Sequence, residues 1–246
     1  MGVRDRFQRG PRALVLWMRS HKVLSVCIVL GIWLLLEFGT LPYGDISKLR
    51  NSNPTETAFM REHRQEAERE GKTFRLNQRW IPLNRIPKDA VNAVIVAEDG
   101  TFWSHAGFDW FEFRESLERN LKEGRASRGA STITQQLAKN LYLSSSKNPL
   151  RKLKEWVLTW YMERTLNKQR ILELYLNVIE WGRGIYGIEA ASRQYFGKSA
   201  SLISREEAAR LAAVIPNPRR YRADKETRYL ERRSQLILDR MGARGF

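Results

Sequence analysis

The sequence predicts a mainly α-helical protein with one membrane helix near its N-terminus. Residues that favour helix starts, such as Asn148, Asn167 and Ser204, each precede a stretch with apolar residues at helical spacing. No segment shows the convincing alternation of apolar and polar residues that marks a half-buried strand. Near the N-terminus, residues 23–36 are free of charge and mostly apolar. These features favour a helical domain and a separate membrane segment.

The chain begins with a basic tail, residues 1–22. Its basic residues include Arg4, Arg6, Arg9, Arg12, Arg19 and Lys22, against the acidic residue Asp5. Cytoplasmic flanks of membrane helices are enriched in Lys and Arg, so this tail is expected to stay in the cytoplasm.

A transmembrane anchor is predicted over residues 23–41. A span of the bilayer core needs about 20 mostly apolar residues, so the anchor must continue past Glu37, whose carboxylate then lies near the outer interface. A cleaved signal peptide is the alternative. The anchor is favoured because residues 36–40 offer no clean small-x-small cleavage site and because the preceding segment is long for a signal peptide.

Residues 42–80 are predicted to form a membrane-proximal helical or spacer region. Residues 55–72 are rich in Glu, Arg and Gln, which is typical of a solvated helix, and no chemistry is assigned to them. Pro82 and Pro87 then favour extended chain, because a residue before proline avoids the helical conformation. The folded domain is predicted over residues 81–246.

Composition limits the function without choosing it. The chain has 246 residues, and Lys plus Arg outnumber Asp plus Glu by 43 to 27. This excess indicates contact with anions, which include nucleic acid, anionic lipid and phosphate. The single cysteine, Cys27, excludes an internal disulfide and any site with several cysteine ligands.

Helices are predicted throughout the folded domain. Val91, Val94 and Ile95 form an apolar face ahead of Glu98, and another helix is expected between Asp109 and Gly124. Ser204 and Glu207 have the spacing of a capping box.

The most informative segment is the polar run over residues 129–140. At about 3.6 residues per turn, its side chains form three stripes. Ser131, Gln135 and Lys139 form one stripe, Thr132, Gln136 and Asn140 the next, and Ile133, Leu137 and Leu141 an apolar third. One side of this helix is therefore expected to be buried, while the other is expected to hydrogen-bond to hydroxyl and amide groups of a polar ligand.

This run resembles the central signature of bacterial peptidoglycan glycosyltransferases, in their short monofunctional form. The matching pattern is Gly129-x-Ser131-Thr132-Ile133-Thr134-Gln135-Gln136-x-x-Lys139-Asn140. Further motifs follow the family's order over about residues 85–222. They are Glu98-Asp99-x-x-Phe102-x-x-His105-x-Gly107, Arg151-Lys152-x-x-Glu155, Ile171-Leu172-Glu173-x-Tyr175-Leu176-Asn177 and Ala212-x-x-Ile215-Pro216-Asn217-Pro218-x-x-Tyr221.

The resemblance implies a lysozyme-like glycosyltransferase domain with a larger lobe and a smaller lobe beside the membrane. It implies an enzyme that polymerises lipid II into β-1,4-linked glycan strands, with inversion at the donor carbon and release of polyprenyl pyrophosphate. The expected location is the bacterial inner membrane, with the catalytic domain in the periplasm. The expected partners are lipid II, the growing lipid-linked glycan chain, the membrane, and proteins of cell-wall synthesis or division, with no nucleic acid.

Such a reaction needs a carboxylate that accepts a hydroxyl proton and a separate group of cations for pyrophosphate. The family's base falls on Glu98, while His105 is more typical of a structural hydrogen bonder. Without the resemblance, the sequence favours Glu98 as a solvated or capping charge at a helix end and the later basic run as a solvated face.

The resemblance assigns the remaining candidates to substrate binding. Lys139 and Arg151 are expected to hold donor pyrophosphate, and Glu155 to assist its departure directly or through a divalent ion, Mg or Mn. Lys147 and Lys154 are weaker candidates, and Lys152 of the same basic run can point away from the site. Ser131, Thr132, Gln135, Gln136 and Asn140 are expected on the donor side. No organic cofactor is expected.

Three alternatives stay open. A lytic glycan-cleaving enzyme shares the expected fold but does not need the cation cluster. A nucleic-acid-binding module explains the charge but neither the anchor nor the polar run. A non-catalytic scaffold retains the fold without the reaction. The pair Glu173 and Glu180 suggests a two-carboxylate glycosidase, but Glu173 is expected to support packing or a buried hydrogen bond.

Overall fold

The structure, a computed structural model, describes residues 20–123, 131–146 and 148–246. The described part is mainly helical, which confirms the predicted fold class. Its α-helices are α1 (Lys22–Gly39), α2 (Tyr43–Lys48), α3 (Ala58–Arg69), α4 (Lys88–Glu98), α5 (Trp110–Glu123), α6 (Ile133–Tyr142), α7 (Pro149–Thr165), α8 (Lys168–Val178), α9 (Ile188–Phe196), α10 (Arg205–Val214) and α11 (Arg228–Ala243).

Helix α1 belongs to the first of two compact units, Met1–Leu41 and Pro42–Phe246. It lies in a segment that is long and apolar enough to cross a membrane by length and composition, with a mean hydropathy of 2.2. Its apolar side chains face outward, Leu35 at 75% exposure, as a helix surrounded by lipid requires. Most of the basic tail, residues 1–19, lies outside the described residues.

The predicted helix starts are confirmed by their hydrogen bonds. The side chain of Asn148 accepts from the Leu150 N–H at 2.9 Å, and that of Asn167 accepts from the Arg170 N–H at 2.8 Å. Asp109 accepts from the N–H of Glu112 in the same way. Ser204 and Glu207 form the predicted capping box. Each bond satisfies a backbone donor that the first helical turn leaves without a partner. The predicted helix end at Gly124 lies outside the described residues.

The core of the second unit forms around α8 and α10. The side of α8 that carries Ile171, Leu174 and Tyr175 is fully buried, and α10 buries a row of small apolar residues. Helix α6 packs against α7 and α8, while α10 packs against α4 and α11. Small side chains such as Ala209 and Ala212 let α10 approach its neighbours closely.

A small sheet, absent from the sequence prediction, lies beside these helices. Strands β1 (Asn77–Gln78), β2 (Glu180–Gly182) and β3 (Ile185–Tyr186) take the order β1-β3-β2, with β1 parallel and β2 antiparallel to β3. Gly184 turns the β2–β3 hairpin at φ +73°, where a Cβ atom would lie 2.6 Å from the Arg75 carbonyl oxygen. Only glycine suits this turn. The predicted division into two lobes stays a prediction.

Asn177 at the end of α8 joins the segment before α4 to the core. Its side-chain oxygen accepts from the Ile81 N–H at 2.8 Å, and its side-chain nitrogen donates to the Ile81 carbonyl at 2.9 Å. Glu173 accepts from the Leu83 N–H at 2.8 Å, which confirms the structural role expected of it. These bonds fix the chain that leads into α4 and therefore the position of Glu98.

Candidate active site

A cavity of about 870 Å³ in the second unit brings most of the predicted site residues together. Its lining includes Glu98, Ser131, Thr132, Gln135, Gln136, Lys139, Asn140, Arg151 and Glu155. Lys154 is not part of this lining, although it lies on the same helix as Arg151. Lys147 lies outside the described residues.

Glu98 is the last residue of α4, and its side chain is only 11% exposed. Its Oε2 accepts a hydrogen bond from Gln136 Nε2 at 2.9 Å, and Gln136 Oε1 in turn accepts from the hydroxyl of the buried Tyr175 at 2.9 Å. Its Oε1 lies 3.5 Å from Nη2 of Arg233. Burial raises the pKa of the Glu98 carboxyl, against the opposing effects of Gln136 and Arg233.

The turn after Glu98 is fixed to the start of α6 by Asp99. One oxygen of Asp99 accepts from the Ile133 N–H at 2.9 Å, and the other lies 2.9 Å from His105 Nε2. The Gly107 N–H donates to His105 Nδ1 at 3.0 Å, so His105 carries its proton on Nε2 and donates to Asp99. The expected structural role of His105 is confirmed.

Position 107, at the end of this loop, requires glycine. It has φ +91°, and a Cβ atom there would lie 2.8 Å from Cγ2 of Thr159. Its carbonyl accepts from the hydroxyl of Thr132 at 2.7 Å. The loop of residues 99–107 and the start of α6 are therefore held together by hydrogen bonds at both ends.

The predicted apolar stripe of α6 is confirmed, but Ser131 and Thr132 of the polar stripes precede the first helical residue, Ile133, and several polar groups serve the helix itself. Ile133, Leu137 and Leu141 are buried. Thr132 and Gln135 both line the cavity. Their side chains form a reciprocal capping box, so they bond to backbone groups at the start of the helix. Asn140 Nδ2 donates to the carbonyl of Gln136.

Three members of the predicted cation cluster line the cavity, Lys139 from α6 and Arg151 and Lys152 from the first turn of α7. Arg151 Nη1 donates to Glu155 Oε2 at 2.8 Å, and Lys152 Nζ forms a short hydrogen bond with Glu155 Oε1. Lys152 also lies 3.4 Å from the Ser131 hydroxyl and lines the cavity, so its side chain does not point away from the site, which the sequence had left open. Lys139 Nζ lies 5.1 Å from the centre of the Phe59 ring, and burial, followed by the nearby Arg151, lowers its pKa.

The side chain of Glu155 is 4% exposed, and both of its oxygens are occupied by Arg151 and Lys152. Among residues 20–123, 131–146 and 148–246, no three His, Cys, Asp or Glu side chains are placed to hold a metal ion. The described residues therefore offer no such ligand group for a resident divalent ion.

Sequence reasoning missed two contributions to the cavity. Residues 42–80 were assigned no chemistry, yet Phe59 and His63 of α3 line the cavity. His63 Nδ1 lies 2.6 Å from the Tyr186 hydroxyl, and burial lowers its pKa to about 4. The second contribution comes from arginines near the C-terminus, Arg219, Arg233, Arg240 and Arg244.

Residues 65–242 match the model of the family described as Transglycosylase. A biosynthetic peptidoglycan transglycosylase of Janthinobacterium sp. (strain Marseille) is 42% identical over 232 residues, 94% of this chain and 96% of that protein. Proteins of the same name from Nitrosospira multiformis and Thiobacillus denitrificans are 47% and 44% identical, over 78% and 94% of this chain and 83% and 97% of theirs.

The chain therefore belongs to the transglycosylase family. This finding confirms the family and the class of enzyme that the motifs predicted.

Proposed function

We propose that this enzyme polymerises lipid II into β-1,4-linked peptidoglycan strands, with inversion at the donor carbon and release of polyprenyl pyrophosphate. The observation that carries the proposal is one cavity that contains both a buried carboxylate, Glu98, and a group of cations, Lys139, Arg151 and Lys152. The names of relatives that match nearly the whole chain support peptidoglycan as the product.

Glu98 acts as the general base. The 4-hydroxyl of the acceptor sugar gives its proton to the carboxylate as its oxygen forms a bond to the donor anomeric carbon. The bond between that carbon and the pyrophosphate oxygen breaks, and pyrophosphate leaves with the electron pair. The raised pKa of Glu98 makes its ionised form a stronger base, and the Gln136 amide holds one carboxylate oxygen in place.

The cation cluster stabilises the leaving pyrophosphate. Arg151 offers a planar fork of donors suited to phosphate oxygens, while Lys139 and Lys152 act as point charges. Glu155 is itself an anion held by two of these cations, so its part is to position Arg151 and Lys152. Ser131, beside Lys152, lies on the same wall.

A divalent cation, Mg²⁺ or Mn²⁺, bound to the oxygens of the donor pyrophosphate would supply additional neutralisation of its charge, beside Lys139, Arg151 and Lys152. No organic cofactor takes part, because pyrophosphate is already a competent leaving group. The ion would be bound through the substrate, since Glu155 is occupied and no three carboxylate, imidazole or thiol groups of the described residues are placed to hold a metal ion.

Helix α1 anchors the enzyme in the inner membrane with residues 1–22 in the cytoplasm. The catalytic unit then lies in the periplasm, next to lipid II and the lipid-linked glycan chain. Proteins of cell-wall synthesis or division are its expected partners, and nucleic acid is not.

The test is incubation of the detergent-solubilised full chain with lipid II, with and without a divalent ion. Glycan polymer is the expected product. A second arm supplies finished glycan strands and looks for fragments. Fragments without polymer from lipid II would identify a lytic enzyme, and neither product would identify a non-catalytic scaffold.

A further inference from the structure

Helix α11 and Arg244, the residue that follows it, bring a second group of cations to the cavity. Arg233, Arg240 and Arg244, called here the C-terminal arginines, all line it. Arg244 Nη1 donates to the carbonyl of Gly100 at 2.5 Å, and a Cβ atom at Gly100 would lie 2.5 Å from Arg244 Nη2. The absence of a side chain at Gly100 therefore lets this guanidinium reach the turn that follows Glu98.

The C-terminal arginines and the donor cations approach Glu98 from different sides. Glu98 Oε2 bonds to Gln136, which lies on α6 with Lys139. Glu98 Oε1 faces Arg233 on α11. The carboxylate therefore lies between two positively charged walls formed by different elements.

The contacts of Arg233 and Arg244 leave donors available. The Nε of Arg233 is buried and has no hydrogen-bond partner among the described residues, and its Nη2 is 3.5 Å from Glu98, too long for a strong hydrogen bond. In the part of the chain that the structure describes, Arg244 bonds to a carbonyl and makes no ion pair. Each guanidinium carries five N–H donors, so both have capacity for an incoming anion.

The chemistry of the reaction supplies such an anion. Both the donor and the acceptor are sugars linked to a polyprenyl pyrophosphate, so two pyrophosphates must be accommodated when the acceptor hydroxyl meets the donor carbon. The cluster of Lys139, Arg151 and Lys152 accounts for one of them. Because the reaction inverts the donor carbon, the acceptor hydroxyl attacks the face of that carbon opposite the leaving pyrophosphate, so the acceptor pyrophosphate must lie apart from the one that leaves.

We propose that the C-terminal arginines bind the pyrophosphate of the acceptor substrate and so orient its sugar hydroxyl toward Glu98. This inference rests on the proposed function. It assigns a second anion site to the cavity, distinct from the donor cluster, and gives the C-terminal helix a part in acceptor recognition. The three arginines act by binding and positioning, while Glu98 takes the proton.

The first test uses inorganic pyrophosphate as the probe and needs no turnover. Calorimetric titration of the full chain in detergent is expected to show two sites. The double variant Arg240→Ala/Arg244→Ala weakens one site by about 10- to 100-fold, and Lys139→Ala/Arg151→Ala weakens the other. Arg232→Ala is the matched control, because Arg232 lies on the same helix, is exposed and does not line the cavity.

A single site that is lost only in the Lys139→Ala/Arg151→Ala variant would overturn the inference. The inference would also be overturned if the C-terminal arginines bound a peptide with two carboxylates and did not bind pyrophosphate. If two pyrophosphate sites are present but lipid II is not polymerised, the proposed function fails while the second anion site stands.

The second test separates acceptor from donor use. With a short lipid-linked glycan as donor and lipid II as the varied acceptor, Arg244→Ala is expected to raise the KM for lipid II about 10- to 100-fold while kcat changes little. Arg244→Lys should recover part of the loss because it restores the charge. An unchanged KM in a variant with native thermal melting would contradict the assignment.

The pH dependence of the rate provides a further test, because Arg233 lies directly beside the proposed base, Glu98. Gln136, Asp99 and Tyr175 also surround Glu98, but Arg233 supplies the positive charge that opposes the rise of its pKa. Arg233→Ala should therefore move the acidic limb of the rate profile to higher pH, whereas Arg244→Ala should leave that limb in place. A purely structural Arg233 would lower the rate without moving the limb.

Discussion

Glu98 and His63 respond to burial in opposite directions. Burial disfavours the charged form of each group, so it raises the pKa of the Glu98 carboxyl and lowers that of the His63 imidazole. Glu98 has a cation and an amide beside it, which keep an ionised form accessible for proton transfer. His63 bonds to the Tyr186 hydroxyl and is most stable without its second proton.

Replacing Glu98 by Gln should remove polymerisation while keeping the fold. The amide is nearly isosteric and still meets Gln136, but it cannot accept the acceptor's proton. Loss of a general base commonly costs about 10²–10⁴-fold in rate. The measurement is lipid II polymerisation by Glu98→Gln protein, with thermal melting and binding of a donor analogue as controls. Turnover within a few-fold of the native rate would remove Glu98 from the mechanism and make Glu155 the next carboxylate to test.

The stability of the catalytic unit should fall as the pH drops below the ordinary pKa of histidine. The pKa of His63 is about 4 in the folded state and about 6.5 when unfolded, so between these values the unfolded chain binds the extra proton. The His63 contribution is therefore fully present above pH 6.5 and decreases by about 1.4 kcal/mol per pH unit toward pH 4.

Thermal melting of the native protein and of His63→Gln between pH 7 and pH 5 tests this dependence. The difference in stability between the two proteins should change with pH, because Gln cannot titrate. His21→Gln serves as the control, since His21 is exposed in the other compact unit. If the stabilities of the native protein and of His63→Gln changed equally between pH 7 and pH 5, His63 would not titrate as described.

Helices α6 and α7 form the donor side of the cavity, with Lys139, Arg151 and Lys152, because each helix presents one polar face to it. The apolar stripe of α6 fixes its orientation, and Glu155 on α7 holds the two cations one turn earlier. The i, i+3 and i, i+4 spacings place Lys152, Arg151 and Glu155 on one side of the helix. Lys154 falls outside this arrangement.

Lys139→Ala and Arg151→Ala should each weaken donor use more than acceptor use. Loss of a charge-assisted phosphate contact costs on the order of 1.5–3 kcal/mol, or roughly 10- to 150-fold in the donor KM. Lys154→Ala, on the same helix as Arg151, should have a much smaller effect. Kinetics with donor and acceptor varied separately provide the measurement. Equal losses in all three variants would favour a general electrostatic effect of the basic run.

Helix positions and the polar stripes could be predicted because they depend on local chemistry. Asn148, Asn167 and Ser204 satisfy backbone groups a few residues away, and the stripes of α6 follow from helical geometry. The strands could not be predicted, because two or three residues are too few to show alternation.

The cavity residues of α3 and α11 escaped prediction for a different reason. His63 and Arg233 look like members of solvated helices, since both segments are rich in charged residues. Their place in the cavity depends on contacts with Tyr186 and Glu98, each more than one hundred residues away in the sequence. Local patterns carry no information about such pairs.

The membrane anchor and the positive net charge of the whole chain both favour the encounter with a lipid-linked pyrophosphate substrate. The net charge of +16 favours approach to anionic lipids and pyrophosphates. Helix α1 lies in its own compact unit, Met1–Leu41, so a deletion of that unit removes no residue of the second unit, Pro42–Phe246.

Deleting residues 1–41 should lower polymerisation of bilayer-embedded lipid II by about tenfold or more while thermal melting of the catalytic unit changes little. The physical reason is that confinement to the membrane raises the effective concentration of the enzyme near its substrate without any new contact. The loss should be smaller in detergent, where the bilayer no longer confines either molecule. Replacing residues 23–41 by an unrelated apolar helix should restore activity, because the anchor acts through location. Equal activity of the truncated and full-length proteins on bilayer-embedded lipid II would contradict this role, and failure of the unrelated helix to restore activity would show that the anchor's own sequence matters.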